Sequence, residues 1–267
     1  MKKRIFFVPL FFFSLFISCN TDIGQSVIVS SLLSGNINEY CIPGEPSLRG
    51  VDVINDSVVW ISGSQSTFVR STNGGECWES GKINTDKTLD FRDIHAFSHN
   101  SAIAISAGSP ARIYKTRDGG KHWMLKYENN DSLIFFDGFD FCDSLKGIAC
   151  SDPINESFFF IRTKDGGETW DTIEYGNLPK PLSGEAGFAA SGTSVVYCNN
   201  IIMFGTGGGA ARVITSTNDG VSWTAVKPLL LQVVRLEYTQ LQRLRIKHLL
   251  LPAEAGKNPM QRERIRQ

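Results

Sequence analysis

The chain has 267 residues, 27 of them basic and 27 acidic, for a formal net charge of +0. That length fits one all-β domain or two ordinary ones, and 42% hydrophobic with 20% charged residues excludes a disordered or collagen-like chain. The balance hides unequal parts, +3 over residues 1–18, +5 from 229 to the end and −8 between, and an acidic body argues against nucleic acid as a partner.

The N-terminus reads as an address. MKKR precedes IFFVPLFFFSLFIS, an apolar run of fourteen residues, too short for an ordinary membrane-spanning helix and broken by Pro9. The run ends in Leu15-Phe16-Ile17-Ser18-Cys19, after which Asn20-Thr21-Asp22 turns polar. An apolar residue, a small residue and then cysteine resembles the lipobox of bacterial lipoproteins. The resemblance implies a signal peptide over 1–18 and lipidation of Cys19. It further implies an exported, membrane-anchored protein of the cell envelope. A plain signal peptide cleaved near Ser18 is the alternative. Residues 19–44 are expected to form a tether and a lead-in strand.

From residue 45 the chain repeats itself. STNGGECW (71–78), KTRDGGKHW (115–123), RTKDGGETW (162–170) and STNDGVSW (216–223) align, with their tryptophans 45, 47 and 53 residues apart. Upstream of each lies the same course of short runs, LRGVDVI, SVVWISGS and STFVRST before the first, FRDIHAF, SAIAISAG and ARIYKT before the second. Alternating and β-branched runs of this length, bounded by Gly, Asn, Asp and Ser, predict strands. Four strands every 45 to 53 residues predict β-propeller blades over 45–228.

The repeated motif has its own mechanics. Asp118, Asp165 and Asp219 are expected at the tight turn, where a carboxylate accepts backbone N–H groups two residues on. Asn73 takes that place in the first copy. Gly75, Gly120, Gly167 and Gly220 supply positive φ. Ser71, Ser216, Thr169 and Ser222 add hydroxyls, and Trp78, Trp123, Trp170 and Trp223 are expected to fold their indoles over the turn.

This pattern resembles the Asp-box, or BNR repeat, of sialidases and other propellers. The segments between the boxes narrow it: 89–97, 147–153, 183–191 and 204–216 look like those of exported bacterial proteins grouped with photosystem II stability/assembly factors. The resemblance implies seven blades in the family against four recognisable here, hence an all-β, incomplete propeller of four-stranded antiparallel blades. It implies boxes that are architectural and an assembly or scaffolding role, with an envelope protein or a glycan as partner.

The innermost strands are expected to line a channel. Apolar alternation puts Arg49, Arg92 and Asp137 at one equivalent position, with Glu185 one residue out of step, and these four form the candidate binding rim. A sialidase-like glycosidase is the rival reading. Arg49, Arg92, Arg112 and Arg162 supply arginines for it, and Tyr114 or Tyr197 a phenol, but no spacing assembles them. Gly205–Ala210 formally matches G-x-G-x-x-A, yet a strand-like run follows where a dinucleotide site needs a helix, so a glycine-rich hairpin loop is expected. His95, His99 and His122 have no metal-ligand context, and neither metal nor cofactor is expected. Of Cys41, Cys77, Cys142, Cys150 and Cys198, the pair Cys142 and Cys150 flanks a turn and could face across a hairpin; buried free thiols are the alternative.

Residues 229–267 break the pattern, with no Trp and many Leu, Gln and Arg. Two expectations stand side by side: a basic amphipathic helix, or a frameshift product that replaces further blades, since codons can be chosen so that a neighbouring frame spells another blade pattern.

Overall fold

The computed structural model describes residues 5–7, 38–83, 86, 88–189 and 192–227. Cys19 and residues 229–267 lie outside the described residues, as does all of 1–18 except Ile5–Phe7, which pairs antiparallel with Asn38–Tyr40.

The runs of alternating apolar residues form four sheets of four antiparallel strands, each sheet in plain sequence order. Blade 1 holds Leu48–Val53, Val59–Gly63, Thr67–Ser71 and Glu79–Lys82. Blade 2 holds Asp90–Ala96, Ala102–Ala107, Ala111–Thr116 and Met124–Asn129. Blade 3 holds Phe136–Phe141, Gly147–Ile154, Ser157–Thr163 and Asp171–Thr172. Blade 4 holds Val195–Cys198, Ile201–Gly205, Val213–Ser216 and Thr224–Val226. The glycine-rich stretch is a hairpin loop, as expected: Gly207–Gly208 pairs with Glu185–Ala186, and a strand follows.

Each seam between neighbouring blades encloses its own apolar cluster. Trp60, Phe68, Phe91, Tyr114 and Trp123 fill the first seam. Ile103, Ile113, Phe136, Phe139 and Phe159 fill the second, and Phe158, Phe160, Ile202, Phe204 and Trp223 the third. Among the described residues no such cluster joins blade 4 to blade 1. The outer face of blade 1 is instead capped by its own lead-in: Ile42 packs on Val59, Ile61 and Val69, and Tyr40 meets the Trp78 ring at 5.9 Å. On blade 4 the corresponding face ends in Val226, which is 51% exposed. Among the described residues the architecture is an open row of four blades.

The boxes repeat atom for atom. A Ser or Thr hydroxyl accepts from the glycine amide four residues on: Gly75 to Ser71 at 2.9 Å, Gly120 to Thr116 at 2.9 Å, Gly167 to Thr163 at 2.8 Å and Gly220 to Ser216 at 2.9 Å. The same hydroxyls donate to Oδ1 of Asn73, Asp118, Asp165 and Asn218. Those Oδ1 atoms in turn accept the amides of Cys77, His122, Thr169 and Ser222. The indoles of Trp123, Trp170 and Trp223 also enter the seams; Trp223 donates to the Gly220 carbonyl at 3.1 Å while its ring meets Phe160 of blade 3 at 5.3 Å. Glycine is required at Gly120, where φ is 88° and a Cβ would stand 2.3 Å from the Phe68 ring of blade 1.

Two expectations are corrected here. In the fourth box Asn218, not Asp219, braces the turn, because the hydroxyl and the brace stand two residues apart in every copy. Asp219 occupies the place of the first box glycine, at φ 59°, a region aspartate tolerates. Cys142 and Cys150 are unpaired: Cys150 lies opposite Gly138, shifted by a bulge, and is buried as a small apolar side chain.

Asp165 shows what the brace contributes. Burial alone would push its carboxyl up, but the Thr169 hydroxyl and amide, the Thr163 hydroxyl and the Glu168 amide hold it down to about 2. Asp165→Ala is expected to lower stability by about 1–2 kcal/mol near neutral pH, since hydrogen bonds to a charged group are lost. A depressed carboxylate stabilises above its unfolded pKa and loses that contribution as pH falls. Urea denaturation of the two proteins should therefore converge between about pH 4 and pH 2.

Candidate functional site: the face opposite the boxes

Each box reaches back to the hairpin between the first two strands of its own blade. Gly74 donates to the Ser57 carbonyl at 2.9 Å, Gly119 to Asn100 at 2.8 Å, Gly166 to Leu145 at 2.7 Å and Asp219 to Asn200 at 3.0 Å. Boxes and these hairpins thus share one end of the blades. The opposite end carries the beginnings of the innermost strands.

Arg49, Arg92 and Asp137 do stand at one equivalent place there. In blades 1, 2 and 3 the pairing of the innermost strand slips between Leu48 and Val51, Phe91 and Asp93, and Phe136 and Gly138. All three side chains therefore project from a β-bulge, a device that re-aims a side chain and recurs next to functional sites. Apolar alternation revealed the shared position but not the bulge.

The three differ in exposure. Arg49 is exposed, and its Nε lies 3.7 Å from Asp90. Arg92 is half-buried, its Nε 2.9 Å from the other Asp90 oxygen, and its guanidinium rests 5.7 Å from the centre of the Phe135 ring. Asp90 thus holds two arginines from adjacent blades. Asp137 is buried, with Oδ2 lacking a hydrogen-bond partner among the described residues. Burial first, and then the Asp152 carboxylate, push its carboxyl up to about 8, against the pull of Arg92. Gly187 links the two acids: its amide donates to Asp152 at 2.8 Å, and a Cβ on it would stand 2.2 Å from Asp137 Oδ2.

Glu185 does not join them. The innermost strand of blade 4 is Val195–Cys198, and the amides of Ala96 and Tyr197 occupy matching places, bonding Asp52 and Asp140 of the preceding blade at 2.8 and 2.9 Å. That register puts Thr193, not Glu185, in line with Arg49, Arg92 and Asp137. Glu185 belongs to the longer connection before blade 4. Its buried carboxylate accepts from Arg212, Thr206 and the Leu182 amide, which fixes the glycine-rich loop. Residues between Trp170 and Trp223 outnumber those of the other intervals, and this extra length misaligned the reading.

The arginines and phenols of the sialidase reading are dispersed. Arg112 pairs with Asp86 and Glu128, and Tyr114 lies beside it. Arg162 and Tyr197 line a cleft at the box end. His95 stacks on Phe141 at 4.8 Å and faces Asp52, and His99 and His122 are exposed. Asp90 and Asp152 were not singled out from sequence; the aspartate in the Ser151-Asp152-Pro153 bulge was the available signal.

Residues 32–130, which span the first two blades, match the family model described as Photosynthesis system II assembly factor YCF48. The chain is an Asp-box (BNR) β-propeller similar to that family over this stretch. No curated protein matches it. Among solved structures it is similar to YCF48 bound to D1 peptide, at 15% identity and TM-score 0.40, over 69% of this chain and 83% of that one. It is also similar to YCF48 from Cyanidioschyzon merolae, at 16% identity and TM-score 0.49, over 70% of this chain and 58% of that one. The GH74 xyloglucanase from Xanthomonas campestris gives 12% identity and TM-score 0.43, over 68% of this chain and 29% of that one. The chain thus spans little more than half of the second relative and under a third of the third.

Proposed function

We propose that this protein is a non-catalytic interaction module, an assembly scaffold of the cell envelope tethered through a lipidated Cys19. Its partner docks on the end of the blades opposite the boxes. The observation that carries the reading is the pair of bulge arginines, Arg49 and Arg92, sharing Asp90 beside the Phe135 ring. Arginine over an aromatic ring, with spare N–H donors, suits an acidic protein segment. Phe188, 54% exposed, adds apolar surface to the partner-facing end. The match of residues 32–130 to an assembly-factor family supports assembly over turnover.

A photo-crosslinking residue at position 49 in the full chain, expressed in its host, is expected to give a discrete protein adduct that Arg92→Glu removes. The same probe at Thr72, exposed at the box end, serves as the control. Equal adducts from both positions would overturn the reading. Alkyne-fatty-acid labelling lost in Cys19→Ala tests the anchor.

A second reading, hydrolysis or binding of glycans, draws on the Asp137 and Asp152 pair, since a carboxyl held protonated near neutral pH beside a second carboxyl is what a glycosidase acid requires. Fluorogenic glycoside turnover abolished by Asp137→Asn would favour it.

A further inference from the structure

The third strands of blades 1, 2 and 3 place a cation immediately before the box hydroxyl: Arg70, Lys115 and Arg162. Each faces the seam to the next blade. Arg70 donates to the His99 carbonyl at 2.8 Å and to Glu79 at 2.5 Å, and lies 5.3 Å from the Trp60 ring. Lys115 donates to the Gly166 carbonyl at 2.7 Å and to Glu168 of the third box at 2.6 Å. Glu168 collects Arg117 and Lys126 as well, and although burial would push its carboxyl up, these three cations hold it down to about 2.

The third seam repeats the cation but has no acid at the Glu168 place; Asp171 stands across from Arg162 in the neighbouring strand, as Glu79 does from Arg70, without an ion pair to it among the described residues. Where the third box has Glu168, the fourth has Val221, 64% exposed. Arg162 Nε is buried and has no hydrogen-bond partner among the described residues. In place of the carboxylate there is a cleft of about 40 Å³, lined by Arg162, Lys146, Lys164, Tyr197 and Asp219. That exceeds the ~10–15 Å³ a single water needs. The carboxylate of Asp219 is already engaged, by Lys146 at 2.7 Å and by the Tyr197 hydroxyl at 2.8 Å. Three cations therefore line the cleft, and the acid among its lining residues, Asp219, is already engaged. A buried guanidinium N–H without an acceptor is costly, and the planar fork matches a carboxylate.

We propose that the cleft between blades 3 and 4 at the box end binds a carboxylate supplied from outside the fold, presented by a peptide and taking the role that Glu168 plays one seam earlier. This site is separate from the arginine pair on the opposite end and does not depend on it.

N-acetylglycine, which carries a peptide-like carboxylate, is titrated into the full-chain protein at constant ionic strength, and the Arg162 Nε–H resonance is followed by NMR. N-acetylglycinamide is the uncharged control and acetate the free-carboxylate arm. A saturable shift with N-acetylglycine and none with the amide is expected. Acetate binding at least tenfold weaker assigns the site to peptides; acetate binding equally well overturns that source. Val221→Glu restores the acid at an exposed position, so the fold is retained; it should raise the melting temperature and weaken N-acetylglycine binding at least tenfold. Unchanged binding in Val221→Glu, or no saturable shift in the parent protein, overturns the proposal.

Discussion

Asp137→Asn is expected to make the protein more stable at pH 8, by about 2–4 kcal/mol, while changing little at pH 4. Asp137 is only 1% exposed, and its Oδ2 finds no hydrogen-bond partner among the described residues, so the folded state favours the neutral acid. Burial, with Asp152 adding to it, lifts the carboxyl to about 8, whereas an aspartate in the unfolded chain titrates near ~3.9. The sign follows. Across that window the folded protein holds a proton that the unfolded chain has released, so stability falls as pH rises. The loss begins near pH 4 and is complete above about pH 8, at a slope of up to ~1.4 kcal/mol per pH unit. Asparagine keeps the volume and does not titrate. Urea midpoints measured from pH 4 to pH 8 should decline for the parent and stay level for the variant with respect to this group. Parallel profiles would show that the Asp137 carboxyl is ionised and solvated in the folded protein.

Trp60→Ala is expected to cost about 3–5 kcal/mol, the largest single loss among the seam residues. Trp60 is fully buried, 5.9 Å from the Phe68 ring and edge-on to Trp123 of the next blade at 6.3 Å. Its Nε1–H donates to the Ser98 carbonyl at 3.2 Å, and Arg70 rests on its face. The change removes an aromatic contact to both blades and leaves a carbonyl unpaired. Trp78→Ala, on the half-buried outer face of blade 1, serves as the comparison and should cost distinctly less. Denaturant unfolding checks both, and equal losses at the two positions would mean that the seams are not the main store of stability.

Much of this was legible because the period of the pattern was legible. The first three strands of blades 1 and 2 lie where alternating runs such as Ser57–Ser64 and Ala111–Thr116 placed them, and Trp123, Trp170 and Trp223 stand at the seams. Arg49, Arg92 and Asp137 were aligned correctly because alternation survives up to the bulge. What escaped depended on partners remote in sequence. Asn218 and Asp219 are adjacent candidates for one role, and only the two-residue spacing from the hydroxyl separates them. Glu185 looked like a channel residue until its pairing with Arg212 and Thr206 was seen. Asp152 gains its meaning from Asp137 and Gly187, neither of which is near it in the chain. That the Arg162 Nε–H finds no acceptor among the described residues is a relation between repeats, visible once Lys115 and Glu168 show how the second seam satisfies its cation.

The hydroxyl–amide clasp of each box closes over only four residues, from Ser71 to Gly75 or Thr163 to Gly167. Contacts that local form on the timescale of hairpins, microseconds, long before a further blade's worth of chain has been synthesised at ~5–20 residues per second. A chain emerging from a ribosome can therefore lock every hairpin at once, whereas its aromatic seams must wait for the succeeding repeat. Assembly becomes vectorial, each finished blade serving as the template on which its successor condenses.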